Sequence, residues 1–192
     1  MTGTAPAEPD ASRFAQAQEY IGHRVAEALR HVPADRVVRA VEILQRSPAT
    51  FVYGAGRSGI IGRAFAMRLV QVGCTAFVIG ESVTPIVRRG DAVVIFSGRG
   101  ESQSSIQSAN IVRREGAELI VVTSRENSKL AHAATLLLLL DFPEDREGPS
   151  LAPLGTLFES ASLLLADALI AELMQARGES DATMRRRHAI MV

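Results

Sequence analysis

The stretch Thr50–Val70, TFVYGAGRSGIIGRAFAMRLV, decides how this chain is read. Its opening TFVYG is short, apolar and rich in β-formers, which predicts a buried strand. Gly54-Ala55-Gly56 then allows a tight turn with exposed backbone. From Ser58 the apolar residues Ile61, Phe65, Leu69 and Val72 recur at helical spacing, so a helix begins there. Strand, glycine turn and helix N-terminus in that order make an anion site. The first helical N–H groups lack intrahelical partners, and the macrodipole places partial positive charge beside them. With the backbone of Gly56, the cation of Arg57 and the hydroxyl of Ser58, the stretch is expected to hold a phosphate.

Working outward, the 192 residues suit one domain, long enough to bury roughly 70% of the unfolded surface. Lys+Arg and Asp+Glu balance at 21 each, which argues against a nucleic-acid binder relying on excess basic charge. The single cysteine, Cys74, cannot form an intrachain disulfide and suits a reducing cytoplasm. No apolar run reaches the ~20 residues that span a bilayer, so no membrane partner is expected. Residues 1–11 are small, polar and proline-containing, and are read as a flexible tail before a single domain over residues 12–192.

Two helices are expected before the first strand, at Arg13–Val32 and Asp35–Gln45. After the opening unit the pattern alternates. Strands are expected at Thr75–Ile79, Ala92–Phe96, Glu118–Thr123 and Thr135–Leu140, with helices at Ser102–Glu115 and Ser128–Ala133. The strands are apolar throughout, as in a parallel sheet covered on both faces. The fold class is therefore α/β: a doubly wound five-stranded parallel sheet flanked by helices, with ligands beyond the carboxyl ends of its strands. A polar, proline-rich connection over Asp141–Pro153 leads to a long helix, Leu154–Ala176, and a last helical turn carries Arg185 to His188.

The first loop also fits G-x-G-x-x-G, and Glu81 follows the second strand, so a dinucleotide site has to be weighed. The second loop favours another ligand. Phe96-Ser97-Gly98-Arg99-Gly100-Glu101-Ser102 is a further glycine turn opening a helix, now crowded with hydroxyls. Ser97 and Ser102 can donate to phosphate oxygens while Gly98 and Gly100 expose backbone N–H groups. A dinucleotide needs one such turn; a compact sugar phosphate can use both. The simpler alternative is that Ser102 only caps a helix. Glu159 lies at the start of the long helix, behind a Pro-Leu-Gly turn and beside Leu157 and Phe158. A carboxylate among apolar groups suits general-base work, although a first-turn glutamate often only complements the helix dipole. No histidine has a partner at metal-ligand spacing, so neither metal nor cofactor is expected.

Taken together, GAGRSGIIGRAFAMRLVQVG, GESVTP, SGRGES, PLGTLFE and RRRHA resemble the 6-phospho-3-hexuloisomerase family of the SIS, or sugar isomerase, domain group, over about residues 12–190. The resemblance implies a flavodoxin-like three-layer sandwich and a metal-independent cytoplasmic enzyme. It would interconvert D-arabino-hex-3-ulose 6-phosphate and fructose 6-phosphate through an enediol, in formaldehyde fixation by the ribulose monophosphate route or its reverse. It also implies a homotetramer with active sites near subunit interfaces. On that analogy Ser58, Ser97 and Ser102 hold the phosphate, Glu159 is the base, and His188 assists, from its own or a neighbouring subunit. This chain departs from the family in three places: Ser102 stands for threonine and keeps the hydroxyl, Arg99 stands for serine and is expected to contact the phosphate bidentately or else to point to solvent, and the end reads Ile190-Met191-Val192. Two other readings are a sugar-phosphate-sensing module without catalysis and a dinucleotide-binding domain.

Overall fold

The computed structural model describes residues 11–190. Most of the expected tail and the last two residues lie outside them. Ala11 already belongs to the first helix. In chain order the elements are α1 (Ala11–Arg30), α2 (Ala34–Arg46), β1 (Thr50–Gly54), α3 (Arg57–Gln71), β2 (Ala76–Val78), β3 (Ala92–Phe96), α4 (Gln103–Glu115), β4 (Glu118–Thr123), α5 (Lys129–Ala133), β5 (Leu136–Leu139), α6 (Gly148–Leu151), α7 (Thr156–Ala176) and α8 (Asp181–Arg186). The expected strands and helices are present. The second strand shrinks to three residues, and the proline-rich connection holds the short α6.

All five strands are parallel, in the order β2-β1-β3-β4-β5. Their continuous apolar character follows from double coverage. On one face Val52, Val94, Phe96, Ile120, Val122 and Leu138 meet Phe65 and Leu69 of α3, Ile43 and Leu44 of α2, and Leu165 and Leu169 of α7. The intervening residues Phe51, Val93, Ile95, Leu119 and Val121 meet Ala109 and Val112 of α4 and Leu130 of α5 on the other. The result is a three-layer, doubly wound sandwich.

The strand order fixes where a ligand can sit. From β1 the chain moves one way to β2, then returns to place β3 on the opposite side of β1. The crevice between the carboxyl ends of β1 and β3 is therefore the switch point of the sheet. Gly54 is in register with Phe96, so the two glycine turns leave adjacent strands side by side, about 4.8 Å apart in the sheet.

Candidate active site

The first turn is shaped by glycines at two close approaches. A Cβ on Gly54 would stand 2.6 Å from the carbonyl carbon of Ser58, and one on Gly59 would stand 2.5 Å from the Gly54 carbonyl oxygen. Strand end and helix start can touch only without those carbons. Gly56 has φ 59 and ψ −132, a conformation open to glycine alone. Its carbonyl accepts the Gly59 N–H at 3.0 Å. Helix α3 thus starts at Arg57, one residue earlier than expected. The Ser58 hydroxyl makes no hydrogen bond among the described residues.

The second turn is braced from below. The Gly98 carbonyl accepts hydrogen bonds from the Thr123 hydroxyl (3.1 Å), the Ser124 hydroxyl (2.8 Å) and the Ser124 N–H (3.0 Å). Gly100, at φ 67, packs so closely on Ser128 that a Cβ would lie 2.1 Å from its Oγ. Ser97 is buried, and its N–H donates to the Val122 carbonyl. Ser102 occupies the N-cap position of α4 without capping it; its hydroxyl lies 3.1 Å from that of Ser104. The simple capping role is therefore not what this hydroxyl does, and it remains available to a ligand beside Ser104.

Glu159 reaches this crevice through α7. Pro153-Leu154-Gly155 turns sharply, with Leu154 at φ 59 and fully exposed. The Pro153 carbonyl accepts the Thr156 hydroxyl at 2.7 Å, and the Gly155 carbonyl accepts the Glu159 N–H at 2.9 Å. Gly155 leaves room for the carboxylate: a Cβ there would be 2.8 Å from Glu159 Oε1. The buried Phe158 ring packs over Gly98, which ties the start of α7 to the second turn. Arg57 ties it to the first, with its Nε 2.5 Å from Glu159 Oε2. The Glu159 side chain is only 15% exposed, whereas that of Arg57 is 73% exposed. Oε2 is shut off from solvent and receives no aligned hydrogen bond, so the Arg57 contact is a charge pair off the N–H axis. Ion pairing thus joins the carboxylate to the first turn, and its neighbour Phe158 joins the start of α7 to the second.

The remaining expected residues fall elsewhere. His188 does not join Glu159 within one chain. From Glu159, α7 runs about 26 Å to Ala176. There Arg177 donates to the Val72 and Gly73 carbonyls, and Arg187 to the Gln71 carbonyl, docking the C-terminal segment at the opposite end of the sheet. His188 is exposed, with Nδ1 2.8 Å from the Ala189 carbonyl oxygen. Arg99 is exposed and unpaired among the described residues, and lines a cavity with Ser124, Arg125 and Asp141 on the β4–β5 side. Glu81 forms an ion pair with Arg63 at 2.8 Å, so the acid of the dinucleotide fingerprint is already engaged. Arg63 lines a cavity of about 280 Å³ on the β2 flank of the first turn, which Ser97, Ser102 and Glu159 do not line. Among the described residues no cluster of three or more His, Cys, Asp or Glu side chains could hold a metal, and no helix is long and apolar enough to cross a membrane.

The sequence reading missed Thr123 and Ser124. Thr123 ends β4 and Ser124 follows it, beside the second turn, a signal visible in the order VVTS once β4 is placed next to β3.

The sugar isomerase (SIS) domain model matches residues 43–170, which hold the whole of this doubly wound sheet. The 3-hexulose-6-phosphate isomerase of Bacillus subtilis is 34% identical over 174 residues, covering 88% of each chain. The crystal structure of a hypothetical protein, 32% identical, superposes with a TM-score of 0.90 over 94% of this chain and 98% of that one. A hypothetical protein from Methanococcus jannaschii, for which a molecular function of 3-hexulose-6-phosphate isomerase was inferred, shares the fold at 23% identity. Its TM-score is 0.83, over 92% of this chain and 99% of that one. The chain belongs to the SIS domain family, in the group of the 3-hexulose-6-phosphate isomerases.

Proposed function

We propose that the protein interconverts D-arabino-hex-3-ulose 6-phosphate and fructose 6-phosphate, with Glu159 as the single proton shuttle. The observation that carries this reading is the Glu159 carboxylate, only 15% exposed and paired with Arg57 of the first turn, on a helix whose Phe158 packs on Gly98 of the second. The substrate phosphate lies across the crevice, held by the hydroxyls of Ser58, Ser97 and Ser102 and the backbone of Gly56 and Gly98. Arg57, long and exposed, swings from Glu159 to the incoming dianion, which frees the carboxylate as substrate binds. Arg99, on the other flank of the second turn, takes no part in gripping the phosphate.

The chemistry then needs one base over two carbons. Glu159 takes the C2 proton, and the electron pair forms the C2–C3 double bond as the C3 carbonyl oxygen gains a proton. Loss of the O2 proton regenerates a carbonyl at C2, and Glu159 returns its proton to C3. Positioned acid–base catalysis of this kind is worth roughly 10²–10⁴ in rate. The rest comes from anchoring the phosphate and from positive charge near the enediolate, which Arg57 supplies. His188 contributes only if it comes from a neighbouring subunit, in keeping with a homo-oligomer, a tetramer by family analogy, working in the cytoplasm on the ribulose monophosphate route. The test is direct. Purified protein given the 3-ketose phosphate should produce fructose 6-phosphate, followed by NMR, without added metal or nucleotide. No conversion by correctly folded protein overturns the reading.

A further inference from the structure

The end of the sheet farthest from Glu159 holds a second charged cavity, of about 550 Å³. It lies where α2 and α4 finish and β4 begins. Arg46, Arg89 and Arg113 line it, with Gly116 and Glu118 among its walls. The chain as a whole is charge-balanced, yet three guanidinium groups here face one carboxylate. That carboxylate is already shared: Glu118 pairs with Arg46 and, at 3.9 Å, with Arg39. The guanidinium groups of Arg89 and Arg113 make no ion pair or hydrogen bond among the described residues.

Both side chains are exposed, and that of Arg89 has a defined seat. Gly116 closes α4 in the left-handed region at φ 72, and the Arg89 guanidinium lies over it, with Nη2 and Cζ 3.2 and 3.4 Å from where a Cβ would stand. A side chain at 116 would push Arg89 aside. Negative partial charge at the end of α4 attracts both guanidinium groups without neutralising them. Two unpaired planar forks beside a third, around a space larger than one phosphoryl group needs, match tetrahedral phosphate oxygens better than they match a single carboxylate.

We infer that this cavity binds a compact polyphosphate anion of the pyrophosphate type, at a site distinct from the crevice around Glu159. The inference stands whether or not the isomerase reading holds. Titration of the full chain with inorganic pyrophosphate at low salt tests it, comparing Arg89→Ala/Arg113→Ala with Ser97→Ala/Ser102→Ala. The expected result is saturable binding that weakens at least tenfold in the arginine variant, weakens with added salt, and is retained in the serine variant. In the unaltered protein, amide resonances of Gly90, Gly116 and Ala117 should shift on titration. Absence of saturable binding, an unchanged affinity in the arginine variant, or resonances at those three amides that stay still would overturn it.

Discussion

Gly98→Ala tests the link between the second glycine turn and the carboxylate of Glu159 that we propose as the base. A Cβ at this position would stand 3.1, 3.3 and 3.6 Å from Cδ1, Cγ and Cε1 of Phe158. Ordinary carbon contacts lie near 3.5–4.0 Å, so the ring must retreat by about half an ångström. Phe158 is buried and adjoins Glu159 on α7, so it cannot move without disturbing the carboxylate. Overpacking a core costs about 1–3 kcal/mol, and one ring with one methyl belongs at the low end, about 1 kcal/mol by urea denaturation. The catalytic cost should be larger than that loss suggests. Misplacement by about 1 Å can cost ~100-fold, so half of it should lower kcat about tenfold. Phe158→Leu supplies the control, costing about 1–2 kcal/mol alone by removing buried surface. In the double variant the smaller side chain makes room for the methyl, and the combined loss should fall short of the sum by about 1 kcal/mol. Strict additivity, or unchanged kcat and stability in Gly98→Ala, would refute the claim that this contact sets the carboxylate's position.

Further outcomes follow from other contacts. Gly100→Ala combines backbone strain with a collision on Ser128 and should cost about 3 kcal/mol or more in thermal or chemical unfolding. Gly56→Ala has open space around it and should show strain alone, about 1–3 kcal/mol. Arg57→Ala should leave stability within about 0.5 kcal/mol, because the side chain is largely exposed, while raising KM for the sugar phosphate about tenfold or more through loss of a charge-assisted contact. At the other end of the molecule, hydrogen bonds from Arg187 and then Thr183 hold the Glu179 carboxyl down at about 2. Its folded value lies below its unfolded one, so the stability it contributes is complete above about pH 4.5 and is lost as pH falls toward 2. Arg187→Ala should flatten acid unfolding across that window, and an unaltered pH profile would contradict the role of the pair.

The sheet was legible in the sequence because strands buried on both faces cannot alternate. AVVIF and ELIVVT announce themselves as continuous apolar runs, and the glycines between strand and helix mark the turns. The short α6 was not legible, since four residues opening on Gly148-Pro149 show no periodicity. For the site, the residue types were readable and their pairings were not. Arg57 looked like a phosphate ligand, and nothing local connects it to a glutamate 102 positions later. Phe158 looked like apolar cover for Glu159, whereas the ring packs on Gly98. Arg99 belonged to the second turn by sequence, but it points to a different cavity. The separation of His188 from Glu159 follows from length alone, because a helix of 21 residues carries the chain across the whole sheet.

The central claim is that one carboxylate moves hydrogen between neighbouring carbons. The most direct measurement incubates the protein with fructose 6-phosphate in deuterated water and follows deuterium at the carbons beside the carbonyl by NMR. The account predicts incorporation by the unaltered protein, and its loss in Glu159→Gln while fructose 6-phosphate still binds. Exchange that persists in Glu159→Gln, or binding without exchange in the unaltered protein, would contradict it.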